Sequence, residues 1–147
     1  KGKRKLVDLL KKHGKVFITS EEKLPKDLEE YELKTDPEDI HSLLYYADIY
    51  IGESGTMATE AALLGTPNVR ISTIAKLLGN TKELNEAGIL LYYDDENKAF
   101  MKIKDLLKQK NLKEKWREKT KEFIKTKVDV TQLMLDILKE KGTKSEI

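Results

Sequence analysis

The chain has 147 residues, of which 39% are hydrophobic and 37% are charged. This length suits one domain, residues 1–147, with a single core, and the apolar residues form ordered blocks that exclude general disorder. The absence of cysteine excludes disulfides, thiolate metal ligands and cysteine nucleophiles, and it favours a cytoplasmic location.

Charge is distributed unevenly along the chain, although the formal net charge is only +2. Residues 1–97 carry 13 basic and 18 acidic side chains, whereas residues 98–147 carry 15 basic and 8 acidic ones. A basic tail is one mark of nucleic-acid-binding proteins. Here, however, lysines alternate with Glu114, Glu118 and Glu122 at helical spacing, and clustered arginines are absent. A solvated helix surface is the favoured interpretation, and no nucleic-acid partner is expected.

No apolar run approaches the roughly 20 residues needed to cross a bilayer, so no transmembrane segment is expected either.

Short apolar runs alternate with amphipathic stretches over the first two-thirds of the chain. Helices are predicted over residues 4–13, 36–46, 56–64 and 81–87. The predicted strands are residues 15–20, 31–33, 48–52, 67–71 and 89–93. After these, the pattern predicts a helical tail over 96–141, made of residues 96–109, 112–125 and 129–141. This order predicts an α/β fold with a parallel sheet covered by helices on both faces.

The most informative stretch is the loop that follows the strand at residues 48–52. Gly52, Ser54, Gly55 and Thr56 lie between this strand and the next helix. The first amides of a helix lack intrahelical partners, and the helix dipole adds positive charge there, so such a loop suits an anionic ligand. Glu60, one turn into the helix, is placed to accept hydrogen bonds from a sugar diol. The alternative is that Ser54 or Thr56 only caps the helix and that the glycines only make a tight turn.

Two common phosphate-binding motifs do not fit this loop. The third glycine of the dinucleotide fingerprint is missing, and no Gly-Lys-Ser/Thr follows as it does in a P-loop. Oxidoreductase and kinase functions are therefore disfavoured.

The central block, with GESGTM at residues 52–57 and EAALLGTP at residues 60–67, resembles a known family. It is similar to the carboxyl-terminal half of a mainly archaeal domain-of-unknown-function family (family 354). That family is itself similar to GT-B glycosyltransferases and to UDP-N-acetylglucosamine 2-epimerase. The resemblance, which runs from about residue 15 to residue 93, implies a Rossmann-like domain that holds the nucleotide of a UDP-sugar.

The resemblance also implies roles for individual residues. Ser54, Gly55 and Thr56 match the loop that meets the diphosphate, and Glu60 matches the helix glutamate that binds the ribose. Arg70 resembles an epimerase arginine suited to a phosphate contact. The residues after Arg70 depart from the epimerase signature, which disfavours an epimerase.

His41 and Glu53 need separate interpretation. His41 matches the family pattern and has an imidazole able to act as an acid or base, but its apolar context favours a supporting or packing role. Glu53 departs from the expected small or basic residue, and its carboxylate is expected to point away from a diphosphate. No His, Asp and Glu set has metal-ligand spacing, so neither a metal nor a cofactor is expected besides the UDP-sugar substrate.

We therefore predict the donor-binding half of a GT-B-like glycosyltransferase. The chain is expected to be a fragment of a two-domain protein whose missing amino-terminal Rossmann-like half supplies the general base, so that alone it binds nucleotide weakly and catalyses nothing. One alternative is a nucleotide-sugar epimerase. Another is a non-catalytic interaction module that forms a homodimer through an apolar surface.

Overall fold

The computed structural model describes residues 2–74 and 79–142. The helices in these ranges are α1 (Gly2–Leu10), α2 (Ile40–Tyr46), α3 (Gly55–Leu63), α4 (Gly79–Glu86), α5 (Glu96–Leu107), α6 (Leu112–Lys125) and α7 (Val130–Gly142). The strands are β1 (Tyr50–Gly52), β2 (Asn68–Ile71) and β3 (Leu91–Tyr93). Two short 3-10 helices, Lys26–Tyr31 and Pro37–Asp39, precede α2.

The three strands form one parallel sheet with β2 in the centre. In the register, Val69 of β2 lies between Ile51 of β1 and Leu91 of β3. Helices flank the sheet: α3 packs against β1 and β2, and α5 packs against β2 and β3. The predicted α/β class, with a parallel sheet flanked by helices and a helical tail, is confirmed. Because parallel strands end at the same edge, the ends of β1 and β2 are neighbours, with Gly52 paired to Arg70 in the register.

The core is built from small residues on α3 and larger ones on the strands and α5. Three alanines on α3 are fully buried, which lets this helix approach the sheet closely. The other fully buried core residues include Val69, Ile89, Leu90 and Ile103. Two glycines follow helix ends with positive φ, 74° at Gly65 after α3 and 67° at Gly88 after α4, a conformation that glycine adopts without strain.

The prediction of five strands is wrong at its first two members. Residues 15–20 and 31–33 form only a single parallel bridge, between Ile18 and Glu32. The stretch at 15–20 is not a buried strand, because Phe17 is 52% exposed. Its other apolar side chains pack instead on a small separate cluster centred on Val7, Leu24 and Leu28. The β-branched run was a valid strand signal, but a strand also needs a partner of matching length beside it.

The helical tail divides into a packed part and an exposed part. In α6, Trp116 Nε1 donates to the carbonyl of Ile89 at 2.6 Å, and Thr120 Oγ1 donates to that of Ala62 at 2.9 Å. These bonds join α6 to the core. In α7, by contrast, every side chain from residue 130 to residue 140 is exposed. Within the described ranges, no helix has both the length and the apolar character to span a membrane.

Candidate site at the amino terminus of α3

The loop from β1 to α3 presents free backbone amides. Ser54 caps α3: its Oγ accepts a hydrogen bond from the amide of Met57 at 3.3 Å. The amides of Gly55 and Thr56 precede the first intrahelical acceptors, and in the described part of the chain no other group accepts from them. These two donors, with the positive end of the helix dipole, form one wall of the site.

Arg70, on β2, places a cation against this wall. The residue is buried, with only 4% exposure. Its Nε donates to the carbonyl of Glu53 at 3.3 Å, and its Nη1 donates to Thr81 Oγ1 at 2.9 Å. A Cβ added at Gly55 would lie 3.0 Å from Arg70 Nη2, so the guanidinium lies directly on the start of α3. In residues 2–74 and 79–142, no carboxylate pairs with this arginine.

A buried guanidinium without a carboxylate is uncommon, because removing a charge from water is costly unless the charge is compensated. Arginine stays protonated at all ordinary pH values, so it cannot relieve this cost by losing its charge. Neutral acceptors satisfy two of its five N–H groups. The remaining positive charge therefore favours an anion in the adjoining space.

That space is a cleft of about 420 Å³ at the carboxyl edge of the sheet. It is lined by Gly55, Thr56, Thr59, Glu60, Arg70 and Asn80. Glu60 is half-buried, with 32% side-chain exposure, and its Oε2 lies 3.5 Å from Nε2 of His41. The cleft thus has a cationic end at Arg70 and a carboxylate on the next turn of α3.

Gly52 and Tyr50 shape the strand end beside the cleft. A Cβ added at Gly52 would lie 2.3 Å from the hydroxyl oxygen of Tyr50, so any larger residue here would require the phenol to move. Burial raises the pKa of Tyr50 to about 12, with Arg70 opposing the rise and Glu53 adding to it. The phenol therefore remains a neutral hydroxyl at physiological pH.

The residues singled out in the sequence separate into three groups. Gly55, Thr56, Glu60 and Arg70 are brought together as lining of one cleft. His41 is mainly exposed, at 65% of its side chain, and reaches the site through its contact with Glu60, so burial gives no support to a packing role. The last group, Gly52 and Ser54, supports the loop, although the Ser54 hydroxyl still has a proton to donate.

Sequence reasoning missed three polar residues of the site, Thr59, Asn80 and Thr81. Thr59 and Asn80 line the cleft, and Thr81 holds Arg70. The signal that could have found the last two was their place at the start of the helix after β2, at the same sheet edge as the Gly55 loop. Glu53 has an exposed side chain that is not part of the lining. In the described ranges, no three His, Asp or Glu side chains gather as a metal site.

Comparison with known proteins gives one match. The model of a family described as a protein of unknown function (DUF354) matches residues 3–142, nearly the whole chain. No curated protein and no solved structure matches significantly.

Proposed function

This chain belongs to the DUF354 family, and we propose that it is the donor-binding half of a GT-B-like glycosyltransferase, with a UDP-sugar as its ligand. In this proposal the diphosphate lies at the Gly55–Thr56 corner and the ribose lies beside Glu60. The membership confirms the expectation of a domain-of-unknown-function family. The likeness to GT-B enzymes rests on the residues of the central block.

The observation that carries the proposal is the unpaired buried charge of Arg70 beside the first turn of α3. Two free amides and a guanidinium converge on the same cleft, and each favours a phosphate oxygen. The helix terminus alone would be weak support. The arginine makes it stronger, because its charge has no carboxylate partner in the part of the chain that the structure describes.

Glu60 extends the site from phosphate to sugar. Its carboxylate lies on α3 one turn beyond the free amides and is accessible from the cleft. A carboxylate accepts two hydrogen bonds well and repels phosphate, which suits a diol placed next to a diphosphate. The His41 contact on Oε2 helps to orient the carboxylate and leaves Oε1 for a hydroxyl.

These residues would contribute electrostatics to a transfer reaction. As the bond between the anomeric carbon and the diphosphate oxygen breaks, negative charge grows on the departing diphosphate. Donors that are already fixed toward that charge stabilise the transition state more than the ground state. The acceptor hydroxyl forms the new glycosidic bond and gives its proton to a base that we place on the other half of the protein.

The test is titration calorimetry with UDP against dTDP, GDP and NADH. We expect the chain to bind UDP best and to catalyse no transfer. Glu60→Ala is expected to weaken UDP binding by about 1–3 kcal/mol and to matter less for 2′-deoxy-UDP, which has one hydroxyl fewer. Glu122→Ala, an equal charge change on α6, is the control. A folded chain that binds none of these nucleotides would refute the proposal.

One observation favours a second candidate, a dimerising interaction module. The exposed face of α7 carries an apolar stripe at helical spacing: Val130, Leu133, Met134, Ile137 and Leu138. Isolated helices of this length are marginal in water, so such a stripe gains stability from a partner helix. A second copy supplies an identical stripe for an isologous pair. Sedimentation of the wild-type chain and of Leu133→Asp distinguishes the two: a dimer lost in the variant favours the module.

An epimerase would use the same nucleotide contacts and is distinguished by the product of the full-length protein.

A further inference from the structure

The guanidinium of Arg70 can recognise phosphate only if its plane is held in one orientation. We propose that Thr81 is the positioning residue that holds it, so that the free N–H groups of Arg70 point into the cleft. This inference rests on the proposed function and concerns a residue outside the cleft lining. Thr81 acts only through Arg70.

The geometry places Thr81 behind the arginine. It lies in the first turn of α4, is fully buried, and accepts the hydrogen bond from Arg70 Nη1 at 2.9 Å. The Asn80 side chain accepts from the Thr81 amide at 2.8 Å, which ties this turn to a residue of the cleft. Arg70 thus connects the starts of two helices, α3 through Gly55 and α4 through Thr81.

Without the Thr81 hydroxyl, the arginine would keep only its longer bond to the Glu53 carbonyl, at 3.3 Å. That bond leaves from Nε, close to the rotation axis of the guanidinium, and so constrains the far nitrogens poorly. Recognition of phosphate by arginine depends on its planar fork of donors being fixed in advance. The shorter bond at Nη1 is the one that fixes this plane.

The chemistry of the acceptor matters as much as its position. A carboxylate at position 81 would also fix the guanidinium, but it would neutralise the charge that attracts the ligand. A hydroxyl is a neutral acceptor, so it orients Arg70 and leaves the positive charge for an anion. A threonine at this buried position therefore suits an anion site better than the usual Asp or Glu partner of a buried arginine.

The experiment compares Thr81→Val with Thr81→Ser in the whole chain, with inorganic pyrophosphate and UDP as probes. We expect Thr81→Val, which keeps the shape of the side chain and removes the hydroxyl, to lower the affinity for both probes about tenfold. Thr81→Ser keeps the acceptor and should bind within about twofold of the wild type. Thr120→Val is the matched control, because it removes another buried hydroxyl, bonded at 2.9 Å to the Ala62 carbonyl of the core. It should lose stability and keep its affinity.

A double-mutant cycle separates positioning from a merely structural role. In the background of Arg70→Met, the change Thr81→Val should have no further effect on pyrophosphate binding. Wild-type affinity in Thr81→Val, or an equal loss in Thr120→Val, overturns the inference and leaves the proposed function standing. Binding of pyrophosphate but not UDP by the wild type refutes the nucleotide proposal, while the Thr81 comparison with pyrophosphate still decides this inference.

Discussion

Replacement of Arg70 by methionine separates stability from binding at the candidate site. Arg70 is buried, with 4% of the residue exposed, and its guanidinium has two neutral acceptors, the Glu53 carbonyl and Thr81 Oγ1. Two hydrogen bonds from a charged donor contribute roughly 3–6 kcal/mol, and burial of the charge costs several kcal/mol. Because these terms nearly cancel, we expect Arg70→Met to change the free energy of unfolding by no more than about 1 kcal/mol. Methionine fills most of the same volume.

Binding should respond very differently. The variant removes the only cation that lines the cleft in the part of the chain described. Loss of a charge-assisted contact to phosphate is expected to cost about 2–3 kcal/mol, which is a thirty-fold or greater loss of UDP affinity. Calorimetry at two salt concentrations gives the affinity, and urea unfolding gives the stability.

A second arginine provides the control for this change. Arg117 on α6 stacks over the Tyr45 ring, with Cζ 4.7 Å from the ring centroid, and lies outside the cleft lining. Arg117→Met makes the same change in net charge and should leave UDP affinity intact. If Arg70→Met kept its affinity and lost more than about 3 kcal/mol of stability, Arg70 would be a structural residue and the anion argument would fail.

Two further predictions concern the same strand end. Because burial raises the pKa of Tyr50 to about 12, its stabilising contribution is complete below about pH 10 and is lost as pH rises toward 12, since the unfolded chain ionises first. Allowing for partial exposure, about 1–2 kcal/mol should be lost over this range in urea unfolding, and an equally steep loss in Tyr50→Phe would contradict the assignment. Gly55→Ala would place a Cβ 3.0 Å from Arg70 Nη2 and 3.1 Å from Cζ. The guanidinium must then shift by a few tenths of an ångström, so we expect UDP affinity to fall about fivefold with little change in unfolding, and unaltered affinity would show that the arginine does not touch the ligand.

Local signals in the sequence were sufficient to locate the seven α-helices of the described residues, but not all of their ends. The predicted helix at residues 4–13 is α1, Gly2–Leu10, and the one at residues 36–46 is a 3-10 turn followed by α2, Ile40–Tyr46. The predicted helix at residues 112–125 has the same bounds as α6, and Gly65 and Gly88 follow α3 and α4 with the positive φ that is common for glycine at a helix end. Asp129 and Gln132 have the spacing of a capping box, of which only one half forms: Asp129 accepts from the Gln132 amide at 3.0 Å, whereas the Gln132 side chain donates to Asp136. Helix caps and hydrophobic periodicity depend on residues only a few positions apart, so the position of a helix can be inferred from its local sequence.

The same local reasoning found the loop with Gly55 and Thr56, together with Glu60 on its helix. What tertiary structure alone decided is which distant groups face each other. The strand predicted at residues 15–20 forms only a one-residue bridge. Arg70 is hydrogen-bonded to a threonine, whereas a carboxylate in the same place would have neutralised its charge. Strand pairing and the compensation of buried charge depend on contacts between residues far apart in the chain, and no spacing rule encodes them.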